Sequence, residues 1–152
     1  MSKPLLILYA TQTGNAEYVA DKVAAEGRTR GYDPRTWNVD GYDTKSLSTE
    51  PRVLFVVSTY GEGDPPDNAE TFWNELQQVS DVGNLRYSVY ALGDTSYVDF
   101  CGFGKKIDNT LHAAGAIRIA ERCDNDLDYE AGLEAWIAAV YTALENEPVT
   151  AG

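Results

Sequence analysis

The first residues with chemical promise are Thr11, Gln12, Thr13, Gly14, Asn15 and Ala16, just after the apolar run Leu5 to Tyr9. Two hydroxyls, an amide side chain and a glycine lead there into a stretch with helical spacing. A helix N-terminus offers backbone N–H groups and the positive end of the helix dipole, so such a turn can hold a phosphate with no cation beside it. The GK[ST] of a Walker loop and the GxGxxG of a dinucleotide fingerprint are both absent. A phosphoryl group in transfer needs a lysine; a phosphate that only anchors a molecule does not. By itself the stretch is equally well explained as a capped helix with no ligand.

Two more loops carry aromatic and glycine residues after apolar runs. Val53 to Ser58 leads into Ser58, Thr59, Tyr60, Gly61, Glu62, Gly63, Asp64, Pro65, Pro66, Asp67 and Asn68. The glycines permit unusual backbone angles and the prolines stiffen the exit. A tyrosine beside such a peptide could stack on a flat ligand while the peptide presents either its C=O or its N–H. The plainer reading is a tight turn. Leu92, Gly93 and Asp94 open a third loop, which runs through Tyr97 to Cys101 and Gly102. A lone loop tyrosine usually packs. One phosphate turn and two aromatic loops at the same end of a sheet would suit a planar ring with a phosphorylated tail.

The remaining inventory excludes several classes. Cys101 and Cys123 form no CxxC pair and His112 is the one histidine, which argues against a zinc site and against Cys-His catalysis. Both cysteines read as small, semi-buried residues, and His112 as an exposed one. The net charge of −12, from 24 acidic and 12 basic side chains, disfavours nucleic acid. It could steer encounters with a basic partner. No apolar run approaches the roughly 18 residues of a membrane-crossing helix. The N-terminal residues lack the regions of a signal peptide, so a cytoplasmic location and no membrane partner are expected. At 152 residues the chain suits a single domain over residues 1–152.

Positioning these loops requires strands that end together. The runs 5–9, 53–58, 88–92 and 116–120 read as strands, the first two apolar throughout as in parallel strands covered on both faces. Residues 34–39 read as a weaker edge strand. Ala16, Val19, Ala20, Val23 and Ala24 share one helical face, as do Ala69, Phe72, Trp73 and Leu76, with Asp67 and Asn68 as cap candidates. Residues 103–114 predict a third helix, and Leu133, Trp136, Ile137, Val140, Tyr141 and Leu144 a long last one. The alternation implies an α/β fold: a five-stranded parallel sheet with helices on both faces. Ligands in such sheets sit outside the carboxyl ends of the strands.

The three loops resemble those of the flavodoxin family over residues 4–144. TQTGNAEYVA is similar to its FMN-phosphate loop, STYGEGDPPDNA to its second loop and ALGDTSYVDFCGFGKKID to its third. The combination resembles short-chain, MioC-type flavodoxins and the FMN domains of sulfite reductase and cytochrome P-450 reductase. The resemblance implies a flavodoxin-like sheet of order 2-1-3-4-5 and FMN as cofactor. It implies that Thr11, Gln12, Thr13, Gly14, Asn15 and Ala16 wrap the phosphate, and that Ser58, Thr59, Tyr60, Gly61 and Gly63 line the flavin. Tyr60 and Tyr97 would take opposite ring faces, with Leu92, Gly93 and Asp94 at the polar edge and Cys101 at the rim. Residues 123–130 fall where the family's last loop approaches the cofactor, with no contact assigned.

The implied function is an electron carrier, monomeric and without catalytic residues of its own. It would take electrons from an NADPH-dependent reductase of the flavodoxin/ferredoxin type and pass them singly to basic-surfaced acceptor enzymes. Gly61 could turn its carbonyl toward a ring nitrogen that gains a proton on reduction. Glu62, Asp64, Asp94 and Asp99 would disfavour further negative charge and make the couple strongly reducing. A quinone-reductase-type flavoenzyme and a flavin-binding accessory protein, for a client such as biotin synthase, stay open as alternatives. A phospho-receiver module does not, because Tyr9-Ala10-Thr11 and Ser58-Thr59-Tyr60 stand where its acidic residues would be.

Overall fold

Leu5 to Leu8 and Val53 to Val57 are buried without interruption, because both faces of the strands they form are covered. The computed structural model of the chain describes residues 3–10, 14–58, 69–80, 82–93, 101–126, 128 and 130–146. The elements run β1 (Lys3–Ala10), α1 (Asn15–Thr29), β2 (Tyr32–Asn38), a 3-10 turn (Thr44–Thr49), β3 (Arg52–Ser58), α2 (Glu70–Leu76), β4 (Arg86–Leu92), α3 (Gly102–Ala113), β5 (Ile117–Arg118), β6 (Cys123–Asn125) and α4 (Leu133–Glu145). The strands pair in parallel in the order β2-β1-β3-β4-β5, as expected, and β6 also pairs with β4. Asp67 and Asn68 lie outside the described residues; Ala69 stands at the start of α2 and makes no side-chain cap.

Strand alternation divides the core in two. Leu6, Leu8, Phe55, Val57, Tyr87 and Val89 face α2 and α3, where Phe72, Leu76, Phe103, Ile107 and Leu111 cover them. Leu5, Ile7, Leu54, Val56 and Tyr90 face the other way, onto the Val19, Val23, Trp136, Val140 and Tyr141 side chains of α1 and α4. With a period of two and apolar cover on both sides, successive positions in the middle of β1 and β3 are both apolar. That is why the strand runs lack polar alternation. Two buried polar groups inside this second layer find partners: Tyr141 OH donates to the Val23 carbonyl at 2.7 Å, and Trp136 Nε1 to Ser88 Oγ at 3.0 Å.

The fifth position of the sheet differs in detail from the run at 116–120. Ile117 and Arg118 stand opposite Arg86 and Tyr87, whereas Cys123, Asp124 and Asn125 stand opposite Tyr90, Ala91 and Leu92. Residues 119–122 therefore fill the space across from Ser88 and Val89 alone, and the excess chain bulges outward. Ile119 N–H still reaches the Tyr87 carbonyl at 2.9 Å, and the Ala120 carbonyl accepts from Ser88 Oγ at 3.1 Å. The bulge also places Arg122 over α3. Its Nη1 lies 2.9 Å from Asp108 Oδ2 and its Nε 2.8 Å from Asp124 Oδ1. Arg118 Nε and Tyr87 OH each donate to Asp108 Oδ1 at 2.7 Å. Asp108 is almost wholly buried, so these donors offset a desolvation cost of several kcal/mol.

Candidate functional site

Register brings the strand ends level. Ala10 stands opposite Val57, Ser58 opposite Leu92, and Leu92 opposite Asn125. The segments that follow β1, β3, β4 and β6 consequently leave from one edge of the sheet. From β1 the chain goes outward to β2, and from β3 outward the other way to β4, so the crevice between β1 and β3 is the topological switch point. Thr11, Gln12, Thr13, Thr59, Tyr60, Gly61, Gly63, Asp94 and Tyr97 lie outside the described residues, as do Glu62, Asp64 and Asp99. Gly14, Asn15, Ala16, Ser58, Leu92, Gly93 and Cys101 are described, and all seven stand at or beside this edge.

Gly14 begins the helix that follows β1. Its φ of +94° is left-handed, and nothing lies within 4 Å of where a side chain would start, so conformation and not space requires glycine here. Its carbonyl accepts from Tyr18 N–H at 3.1 Å, and the N-terminus of a helix in general offers first-turn amides to a ligand. Ala16 is fully buried, so only its backbone can serve a ligand. Asn15 and Ser58 are half-buried at the crevice. Leu92 also turns its side chain into the core and leaves backbone at the edge. Burial, then the charges of Glu17 and Asp21, hold the Tyr9 phenol above its ordinary range.

The third loop is tied at its ends. A Cβ on Gly93 would lie 2.9 Å from both the amide nitrogen and the Sγ of Cys101, so the residues either side of 94–100 touch. Cys101 has a φ of +55°, and among the described residues no other non-glycine has a positive φ. It opens α3, where its carbonyl accepts from Lys105 N–H at 3.1 Å. Its thiol is buried, which pushes it up to about 12, and it donates to the Asn125 carbonyl at 3.6 Å. A protonated, enclosed thiol is packing and not a nucleophile.

Asn125, at the end of β6, gathers the neighbouring segments. Its carbonyl also accepts from Gly93 N–H at 2.8 Å. Its Nδ2 donates to the Ala91 carbonyl at 3.2 Å and its Oδ1 accepts from Gly132 N–H at 3.1 Å. The stretch 123–130 was expected near the site without a named contact, and Asn125 is the residue that reasoning missed. Nothing local in CDNDLDYE separates a buried asparagine from its exposed acidic neighbours. Open hollows of about 560 Å³ between α1 and α4, and about 400 Å³ beside the 3-10 turn, contain none of Gly14, Ser58, Gly93 or Asn125. Position at the strand ends, not hollow volume, marks the site.

Residues 7–136 match the family model described as Flavodoxin. The chain belongs to the flavodoxin family. It is 40% identical over 148 residues to the sulfite reductase [NADPH] flavoprotein alpha-component of Vibrio cholerae, a match that covers 96% of this chain and 24% of that protein. The corresponding protein of Bacillus subtilis is 38% identical over 148 residues, with the same coverage of 96% and 24%. The chain thus spans about a quarter of the length of these curated relatives. Among solved structures, a flavodoxin from Pseudomonas aeruginosa superposes with a TM-score of 0.82 at 25% identity, covering 94% of this chain and 99% of that one. A flavodoxin from Streptococcus pneumoniae TIGR4 gives 0.81 at 26% identity, covering 91% and 98%. Neighbours of flavodoxin fold thus match over nearly their whole length.

Proposed function

We propose that this flavodoxin-family chain forms a single FMN-binding domain over residues 1–152 and carries electrons between protein partners. The observation that carries the reading is that β1, β3, β4 and β6 end level at one end of the sheet beside the β1–β3 switch point, with a left-handed Gly14 ahead of α1. The described residues fit the group. First-turn amides of α1 suit a phosphate that needs no cation, and Ser58 and the Gly93 backbone offer polar contacts along the edge. Thr11, Gln12, Thr13, Asn15 and Ala16 would complete the phosphate cradle. Thr59, Tyr60, Gly61, Gly63, Asp94 and Tyr97 would hold and shield the ring, with Cys101 behind the third loop. When bound, the flavin supplies the redox chemistry, taking and releasing electrons one at a time. The chain positions it and excludes water.

Relatives named as the flavoprotein component of an NADPH-dependent sulfite reductase support a place within a relay. The proposed donor is an NADPH-dependent flavoprotein reductase, and the acceptor an enzyme with a basic docking surface. No substrate is turned over on this chain in that role. The test is to purify the protein, add FMN, remove the excess and record the visible spectrum during stepwise reduction. A bound, protein-perturbed flavin spectrum that bleaches on reduction is expected. A colourless protein that cannot be reconstituted would sink the reading.

A further inference from the structure

We propose that Asn125 is a positioning residue of the cofactor site, tying the loop that carries Tyr97 to the loop after β6. The inference rests on the FMN reading for its ligand, and on geometry for everything else. The backbone carbonyl of Asn125 holds both ends of the third loop, accepting from Gly93 N–H at 2.8 Å and Cys101 Sγ at 3.6 Å. Its side chain holds the fourth segment through Gly132 N–H at 3.1 Å and the end of β4 through the Ala91 carbonyl at 3.2 Å. The residue is 4% exposed, so water cannot replace these bonds.

The packing around it is equally specific. A Cβ on Gly93 would meet Cys101 at 2.9 Å, and one on Gly132 would meet Cys123 Sγ at 2.5 Å and Asn125 Oδ1 at 3.0 Å. Two glycines thus let two loops close onto one amide. The left-handed backbone of Cys101 is a conformation that persists only where its surroundings fix it, and the Asn125 carbonyl is part of that fixation. The primary amide is the required chemistry. It donates and accepts at once without charge, whereas a carboxylate would set an oxygen against the Ala91 carbonyl. Loss of the amide therefore releases the Gly132 segment and the end of β4 directly, and loosens the third loop only through the Asn125 backbone to which Gly93 and Cys101 bond.

The 152-residue chain and its Asn125→Ala and Asn125→Asp variants would be titrated with FMN by flavin fluorescence. Amide exchange at Gly93 and Gly132 would be followed without FMN. Tyr141→Phe is the control, since it loses a buried 2.7 Å bond to Val23 within the α1–α4 layer. Both Asn125 variants should bind FMN about ten-fold more weakly, the size expected for one buried polar group left unsatisfied. Asn125→Ala, which removes the acceptor of Gly132 N–H, should also exchange that amide faster than the parent and Tyr141→Phe, with a smaller rise at Gly93, whose acceptor is the retained backbone carbonyl. Relative to the parent, Asn125→Asp should recover affinity as pH falls and its carboxyl regains a proton to donate. Parent-like FMN affinity in Asn125→Ala, or an equal loss in Tyr141→Phe, overturns the proposal. Should Asn125→Ala not fold, parent-like FMN affinity in Asn125→Asp overturns it as well. A parent that binds no FMN defeats the functional reading instead, while glycine exchange still decides whether Asn125 ties the loops.

Discussion

Gly93 and Gly132 illustrate how single residues shape the crevice, and they separate two kinds of close approach. A methyl group at Gly132 collides first with a side chain, Cys123 Sγ at 2.5 Å, whereas at Gly93 it meets the backbone nitrogen of Cys101 as well as its sulfur. Each alanine substitution should cost about 1–3 kcal/mol of stability, the range for forcing atoms into a filled site. Adding Cys123→Ala should restore much of the loss in Gly132→Ala. Adding Cys101→Ala should restore little in Gly93→Ala, because the nitrogen stays. Urea midpoints of the four variants check this, and equal rescue at both sites would reject the distinction. The junction of β1 and α1 was legible because a glycine between an apolar run and a stretch of helical spacing has a local signature. Asn125 was not, since its meaning lies in Ala91, Gly93 and Gly132, which only the fold brings to it.

Among the elements, the continuous runs of β1 and β3 announced a doubly covered sheet, and the order of strands came from the family resemblance of the loops, not from periodicity. The fifth position was less legible. An apolar run at 116–120 promises one strand, yet Ile117 and Arg118 alone pair there, and pairing resumes at Cys123. What decides this is the polar cluster on Asp108, to which residues of β4, β5 and the bulge each contribute. No periodicity encodes such a cluster. Asp108→Asn should cost about 2–3 kcal/mol in equilibrium unfolding. That is below the roughly 3–5 kcal/mol of a fully buried pair because both arginines keep contact with water. Since α3 begins at Cys101, the same variant should also quicken amide exchange at Gly93, a link from the edge of the sheet to the crevice. A loss under about 0.5 kcal/mol, the usual size of a surface change, would mean that the cluster contributes nothing.

At the scale of the whole molecule, charge and burial set the response to solution conditions. Burial holds the Tyr87, Tyr90 and Tyr141 phenols above their ordinary 10.0 and pushes the Cys101 thiol from 9.0 up to about 12. The unfolded chain gives up these protons first, so between those values it binds fewer protons than the fold and stability falls as pH rises. Denaturation midpoints should be level with respect to these groups below about pH 9 and decline from there toward 12. Tyr141→Phe should make that decline shallower. The net charge of −12 makes a second forecast: electron exchange with a basic partner should slow steeply as salt is raised, while exchange with a small neutral reductant should not. The interrupted fifth position has a consequence of another kind. An exposed strand edge is a template on which a second sheet can grow, through an unbroken row of N–H and C=O groups. Here that row is broken after Arg118 and resumes only at Cys123, with Arg122 folded onto Asp108 between, so a docking strand would find no continuous ladder. The bulge that steadies Asp108 thereby also closes this edge of the sheet, opposite the β2 edge, to strand-on-strand pairing.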